Sequence, residues 1–251
     1  MVVSPDLVYN YSVILSDLGE IKAVAFDIDG TLYHEAKFNR LIFSHFVRHI
    51  VFFSHFGLVR KELRKKDFYE DFAGTQTEMM AKRMHCSKEE AAQKLDKIVY
   101  SGLKKYFTML EPCDGAIELI RRLKENGLKI GLLSDFPPEQ KGDIWGIKQY
   151  CDFCLGSEEI GALKPSSYVF NVLQQKFDVP AENILYIGNN FKYDVLGPKE
   201  AGMKAAWFVS SKRHLKGKKA ETADIAFCSY RTLEKTLFCN ANNDGNHIEE
   251  N

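Results

Sequence analysis

The stretch KAVAFDIDGTLYH, residues 22–34, decides how the rest of this chain is read. Ala23, Val24, Ala25 and Phe26 make a short small-and-apolar run, the composition of a strand buried on both faces. The run stops at Asp27, and Asp29, Gly30 and Thr31 follow. In an extended segment, residues two apart share a face, which predicts Asp29 beside Asp27. Gly30 permits a sharp turn directly after the second carboxylate. A buried strand that ends in two acids and a hydroxyl is delivering chemistry to a cleft.

Outward from this stretch, strands and helices alternate. DGAIELIRRLKENG carries Ala116, Leu119, Ile120 and Leu123 at the spacing of one helical face. Asp114 is the expected cap of that helix, and Gly127 marks its end. LKIGLLSD reads as a second strand ending at Ser134. SSYVFNVLQQKF reads as a helix with Phe170, Leu173 and Phe177 on one side. ILYIGNN is a third strand ending at Gly188, VLGPKEAGM a short helix, AAWFV a fourth strand and ADIAF a fifth. This rhythm predicts an α/β fold with a Rossmann-like parallel sheet covered by helices on both faces.

Residues 34–110 break the rhythm. They lack short apolar strands and hold long helical patterns, among them SKEEAAQKLDKIVYSGLKKYF, where Ser87 and Glu90 form a capping box. The expected organisation is therefore a core of residues 20–33 and 111–238, a mostly helical cap of residues 34–110 inserted after the first strand, and an N-terminal extension of residues 1–19. Residues 239–251 are polar, without periodicity, and are expected to be a disordered tail.

Composition narrows the function classes. The 251 residues include 34 Lys plus Arg and 34 Asp plus Glu, so no global field draws the chain to nucleic acid or an acidic membrane. The first residues, MVVSPDLVYNYSVILSD, lack the basic start and long apolar run of a signal peptide. The apolar stretch at residues 41–59 is interrupted by Arg48 and three histidines, which argues for a packed helix over a membrane span. Six cysteines in a chain of this length do not make a disulfide framework. Cys151 and Cys154 form a single CxxC in a segment that looks extended, which favours packing over redox or zinc chemistry. A reducing, cytoplasmic setting is expected.

In open parallel sheets, ligands bind beyond the carboxyl ends of the strands. The polar residues at the expected strand ends are Asp27, Asp29 and Thr31, then Ser134 and Asp135, then Asn189, Asn190 and Asp194. Lys164 lies just before a helix, in GSEEIGALKPSSY.

This set resembles the haloacid dehalogenase (HAD) superfamily, in its phosphatase-like branch with a helical cap. DIDGT matches that superfamily's first motif, the serine of LLSD its second, LKP its third, and IGNNFKYDVLGPKEAGM a variant of its fourth. The four occur in order, and the resemblance covers roughly residues 22–227. The resemblance implies a small phosphorylated metabolite as substrate and Mg²⁺ as cofactor, with no nucleic-acid or membrane partner. It implies Asp27 as the nucleophile that becomes an aspartyl phosphate, and Asp29 as the acid and base for leaving group and water. Thr31, Ser134 and Lys164 would hold phosphate. Asp27, Asp29, Asn189 and Asp194 would hold the metal.

The chain departs from the pattern in two places. Asn189 stands where the superfamily usually has aspartate, which predicts weaker Mg²⁺ affinity. Asp135 stands where asparagine often follows the motif serine. Three rivals stay open. A phosphomutase or phosphotransferase would use the same residues. A catalytically impaired HAD-fold binding protein would turn over nothing. A 2-haloacid dehalogenase would share Asp27 but lack the second acid, so Asp29 argues against it. Oligomeric state is open. His45 and His49, four apart with His55 nearby, have no acid or cysteine to complete a zinc set. The basic run KRHLKGKK, residues 212–219, lacks interleaved aromatics and is expected to be a solvated loop.

Overall fold

The computed structural model describes residues 13–15 and 18–238. Most of the expected extension, and the whole of the expected tail at 239–251, lie outside them. A small antiparallel hairpin pairs β1 (Val13–Leu15) with β2 (Gly19–Ile21). β3 (Ala23–Asp27) then enters the main sheet and stops at the first of the two acids.

The chain next runs through helices before the sheet resumes. α1 (Glu35–Arg48) and α2 (Ile50–Leu63) meet at His49. α3 (Phe72–Met84) starts at Asp71, whose carboxylate accepts from the Gly74 amide at 2.8 Å. α4 (Lys88–Leu95) starts at Ser87, whose hydroxyl accepts from the Glu90 amide at 3.1 Å, so the expected N-cap forms. A wider π-type turn over Asp96–Tyr100 joins α4 to α5 (Ser101–Phe107). The stretch read as one helix is thus helical throughout, with one looser turn in its middle. Among the described residues no single helix is long and apolar enough to cross a membrane. The apolar stretch at 41–59 is split between α1 and α2, whose axes bend by 110°.

The remainder alternates as expected. α6 (Ala116–Glu125) is followed by β4 (Lys129–Ser134), β5 (Phe153–Gly156), α7 (Ser167–Phe177) and β6 (Ile184–Gly188). A π-type turn at Phe191–Leu196 leads into α8 (Gly197–Glu200), then β7 (Lys204–Phe208), α9 (Lys218–Thr222), β8 (Ile225–Phe227) and α10 (Tyr230–Phe238). Asp114 does not cap α6. Gly115, at φ +79°, occupies the cap position, and Asp114 turns outward to pair with Arg231 at 2.7 Å.

The sheet has six parallel strands in the order β5-β4-β3-β6-β7-β8. Alternate residues of its central strands feed two cores, as the pleat requires. Val24, Phe26, Ile130 and Leu132 pack with Leu119, Ile120 and Leu123 of α6 and Leu233 and Leu237 of α10. Ala23, Ala25, Ile184 and Tyr186 pack with Val169, Phe170, Leu173 and Phe177 of α7 on the opposite face. The order steps outward from β3 to β4 and β5, then returns to β6 on β3's other side. β3 therefore sits at the switch point, where the crevice opens at the strands' carboxyl ends.

Candidate active site

Asp27 lies at that crevice, 3% exposed. Its Oδ1 accepts from Lys164 Nζ at 2.7 Å and its Oδ2 from Thr31 Oγ1 at 2.8 Å. Lys164 also donates to Asp194 Oδ1 at 2.7 Å and to the Tyr186 hydroxyl at 3.1 Å. One buried ammonium thus serves two buried carboxylates. Burial raises the Asp27 carboxyl from its usual 3.8 to about 7; Lys164 opposes the rise, while Asp194 and Asp29 add to it. The acids outnumber the cation, and the site carries a demand for more positive charge.

Asp29 is placed by a turn rather than by the strand pleat. The Thr31 and Leu32 amides donate to the Ile28 carbonyl at 3.3 and 3.1 Å, and Gly30 takes φ +80°. A Cβ on Gly30 would strike the Asn189 side chain. The expectation that two residues along an extended strand would share a face is therefore replaced by a tight turn. Even so, both acids line one cavity. The Asp29 carboxylate accepts from the Tyr33 hydroxyl at 2.7 Å and from Ser134 Oγ at 2.7 Å, with Lys141 Nζ at 3.2 Å.

Asp194 is fixed from the other side. Its Oδ2 accepts from the Asn190 amide at 2.9 Å, across the turn that leaves β6. Gly188 ends that strand where any Cβ would meet the Asp194 side chain, so the close approach requires glycine. The Asn189 carbonyl accepts from the Trp207 indole at 2.8 Å, and its side-chain oxygen lies 3.4 Å from Thr31 Oγ1. Asp27, Asp29, Lys164, Asn189 and Asp194 all line a single cavity of about 280 Å³. Thr31 and Ser134 reach it through their bonds to Asp27 and Asp29.

Four partners escaped the sequence reading. Tyr33 follows the motif and looks like core, yet its hydroxyl bonds Asp29. Lys141 reads as a surface lysine. It is 6% exposed, its amine donates to Ser134 Oγ at 3.1 Å, and it lies 5.2 and 5.6 Å from the Phe107 and Phe136 ring centres. Arg60 in α2 and Arg64 just past its end carry no local sequence signal of a buried partner. Arg60 forms a buried pair with Glu158, and Arg64 pairs with Asp135 and donates to the Lys164 carbonyl at 3.1 Å. Nothing in the local pattern separates the two arginines from solvated ones, because their acidic partners lie about 70 or more residues away.

Asp135 thereby gains a role. It also accepts from Ser157 Oγ at 2.9 Å and from the Lys164 amide at 3.1 Å. Burial pushes its carboxyl up, but Arg64, Lys164 and Arg60 outweigh that and hold it below the ordinary carboxylate range. Its contribution to stability is then present above that range and is lost on acidification through the lowered value. Asp135→Asn is expected to cost about 1–3 kcal/mol at neutral pH by leaving Arg64 short of its counter-charge. Urea titration at pH 7.5 measures this; an unchanged midpoint would remove Asp135 as the tie between α2 and the sheet.

The remaining motifs stay apart from the cavity. His45 Nε2 lies 2.9 Å from the Ile98 carbonyl, a packing contact. Among the described residues no three or more His, Cys, Asp or Glu side chains stand together as a metal cage. Cys154 lies in β5, and the Cys151 thiol donates to the Ile147 carbonyl at 3.3 Å.

Comparison with known proteins bears on the family and the fold. The family model of haloacid dehalogenase-like hydrolases matches residues 21–202. A glyceraldehyde 3-phosphate phosphatase of Methanothermobacter thermautotrophicus is 26% identical over 193 residues, 74% of this chain and 84% of its own. A pyrophosphatase of Halalkalibacterium halodurans is 26% identical over 190 residues, 74% of this chain and 83% of its own. The crystal structure of a HAD phosphatase from Thermococcus onnurineus superposes with a TM-score of 0.58 at 21% identity, covering 87% of this chain and 98% of that one. The strand order, the four motifs and the matched family model together establish that this chain belongs to the haloacid dehalogenase-like hydrolases.

Proposed function

We propose that the protein is a Mg²⁺-dependent phosphatase that cleaves a small phosphate monoester through a phosphorylated Asp27. The observation that carries this reading is the pairing of two differently seated acids on one cavity. Asp27 is buried against Lys164 and Thr31, and Asp29 sits among hydroxyls of Tyr33 and Ser134. The relatives named for phosphatase activity on glyceraldehyde 3-phosphate and on pyrophosphate support the same reaction class.

In this reading Lys164 keeps Asp27 ionised and in place for attack on phosphorus. Asp29 gives its proton to the departing oxygen, then takes one from the water that cleaves the acyl phosphate. Tyr33, Ser134 and Lys141 hold its carboxylate in position. Ser134, Thr31 and Lys164 donate to the phosphoryl oxygens as the ester enters. The helices of residues 34–110 act as a cap that excludes water, tied to the sheet through Arg60 and Arg64.

The donor set fits a hard divalent cation. Asp27, Asn189 and Asp194 offer only oxygen, and Mg²⁺ completes its shell with water and substrate oxygens rather than a full protein cage. The raised Asp27 carboxyl is the electrostatic counterpart of that demand. When bound, the ion would neutralise the phosphate dianion against the acids.

Mg²⁺-dependent release of phosphate from p-nitrophenyl phosphate tests the reading, and no release at any Mg²⁺ concentration would refute it. Asn189→Asp is expected to lower the half-saturating Mg²⁺ concentration by about tenfold, through one added formal charge near the ion. A requirement that stays the same would remove Asn189 from the metal seat.

A further inference from the structure

The cavity around Asp27 and Asp29 continues to a wall that bears on what the phosphate is attached to. We infer that the leaving group is a short, uncharged, hydroxylated fragment such as a triose or small polyol. The site disfavours esters with a second anionic group near the phosphate. This rests on the phosphatase reading above and adds a charge rule to it.

The wall facing the strand ends is made of Tyr33, Phe38, Leu103, Phe107 and Phe136. Phe38 and Phe107 stack with centroids 4.9 Å apart at 16°, and Tyr33 packs against both. These groups offer a carbon skeleton a dry face and no charge. Three polar residues interrupt them: Glu35, Asn39 and Gln140. Gln140 spends its amide hydrogens on the Val99 and Tyr100 carbonyls at 2.7 and 3.2 Å, so its oxygen is the group left to interact. That oxygen and the Glu35 carboxylate are acceptors, and the Asn39 amide, which both donates and accepts, adds no positive charge. Acceptors take hydroxyl hydrogens and repel the oxygens of a carboxylate or phosphate.

The charge count points the same way. The charged lining residues are Asp27, Asp29, Glu35, Asp135 and Asp194 against Lys164; with Lys141 on Asp29 and Arg64 on Asp135, the negative excess rests on Asp27, Asp194 and Glu35. The cations bordering the cavity are committed. Lys141 is on Ser134 and Asp29, Arg60 on Glu158, and Arg64 on Asp135. A divalent ion would add charge at the phosphoryl end, next to Asp27, and not along the aromatic wall. Of the two relatives' named substrates, glyceraldehyde 3-phosphate loses a neutral fragment and pyrophosphate an anionic one. The wall matches the first.

Glyceraldehyde 3-phosphate and 3-phosphoglycerate make a matched pair, differing by an aldehyde against a carboxylate. With Mg²⁺ present, kcat/KM is expected to favour the aldehyde by about tenfold or more, the ratio that 1.4 kcal/mol supplies. Glu35→Gln is expected to shrink that ratio about threefold by relieving repulsion of the carboxylate, within the range of one partly screened charge. p-Nitrophenyl phosphate serves as the reference for the chemistry itself. Cleavage of the reference with the acid handled as well as the aldehyde, or with pyrophosphate preferred to both, would overturn this inference alone. No cleavage of any of them would overturn the phosphatase reading beneath it.

Discussion

Asp27→Asn is expected to abolish turnover, by at least about 10³-fold in kcat, while the protein folds as before. An amide oxygen is close to isosteric with a carboxylate but does not attack phosphorus. The neighbours that hold Asp27, Thr31 and Lys164, keep a partner in the amide carbonyl and in Asp194. Stability is expected to stay level or rise in metal-free buffer, and the sign follows from linkage. The folded carboxyl titrates near 7 against an ordinary 3.8, so the folded state binds the proton more tightly than the unfolded chain. That contribution is complete below about pH 4 and is lost as pH climbs through 7. At pH 8 the wild type bears the cost of a buried ionised acid, and the asparagine variant does not. Circular dichroism melts in EDTA at pH 8, paired with phosphate release, measure both quantities. A variant that retains turnover would contradict the role of Asp27.

Lys164→Met is expected to fail in both respects. It strips the shared counter-charge from Asp27 and Asp194, which lie buried 2.7 Å from its amine. Removing one partner of such a pair leaves uncompensated charge and costs about 3–5 kcal/mol. Loss of a preorganised cation at the phosphoryl site lowers kcat by a further 10²–10³-fold or so. The deficit in stability should shrink as pH is lowered toward 5, because Asp27, its carboxyl already raised by burial, takes up a proton and sheds its buried charge. Denaturant titrations at pH 5, 6.5 and 8 read this trend. A deficit that does not change with pH would mean that methionine disturbs packing and that the ion triad contributes little. The two variants separate chemistry from framework: Asp27→Asn loses rate alone, Lys164→Met loses rate and stability together.

The parallel sheet was legible because each core strand is a short apolar run ending in a polar residue, with helices of clear periodicity between. Ser134 and Asp194 stand at or just beyond strand ends, where a cleft must lie, whereas Lys164 stands out only through the LKP motif of the resemblance. The tight turn at Gly30 was foreseen, but not that it, rather than the strand pleat, sets Asp29. A strand pattern does not say at which residue pairing ceases, and here it ceases at Asp27. Asp114 sits where a cap is expected, but a capping residue competes with other partners, and Arg231, distant in sequence, holds it.

Tyr33, Lys141, Arg60 and Arg64 were not legible. A lysine between two glutamine-and-glycine neighbours looks solvated, and only the folded chain brings Phe107 and Phe136 around its amine. Similarly, Arg60 in α2 and Arg64 just past its end carry no local sign of a partner until Asp135 and Glu158 from the strand ends meet them. The unusual aspartate after Ser134 becomes intelligible only with Arg64 in view. Contacts of long sequence separation hold α2 to the strand ends, and single-sequence patterns report local ones.

The account turns on whether phosphorus passes through the side chain at position 27. Protein quenched during turnover of p-nitrophenyl phosphate with Mg²⁺, reduced with borohydride and digested, reports this by mass spectrometry. An acyl phosphate at that position is reduced to homoserine, and the account predicts homoserine there and at no other acid of the cavity. Steady turnover with position 27 recovered only as aspartate, or with the reduced residue at Asp29 or Asp194, would contradict it.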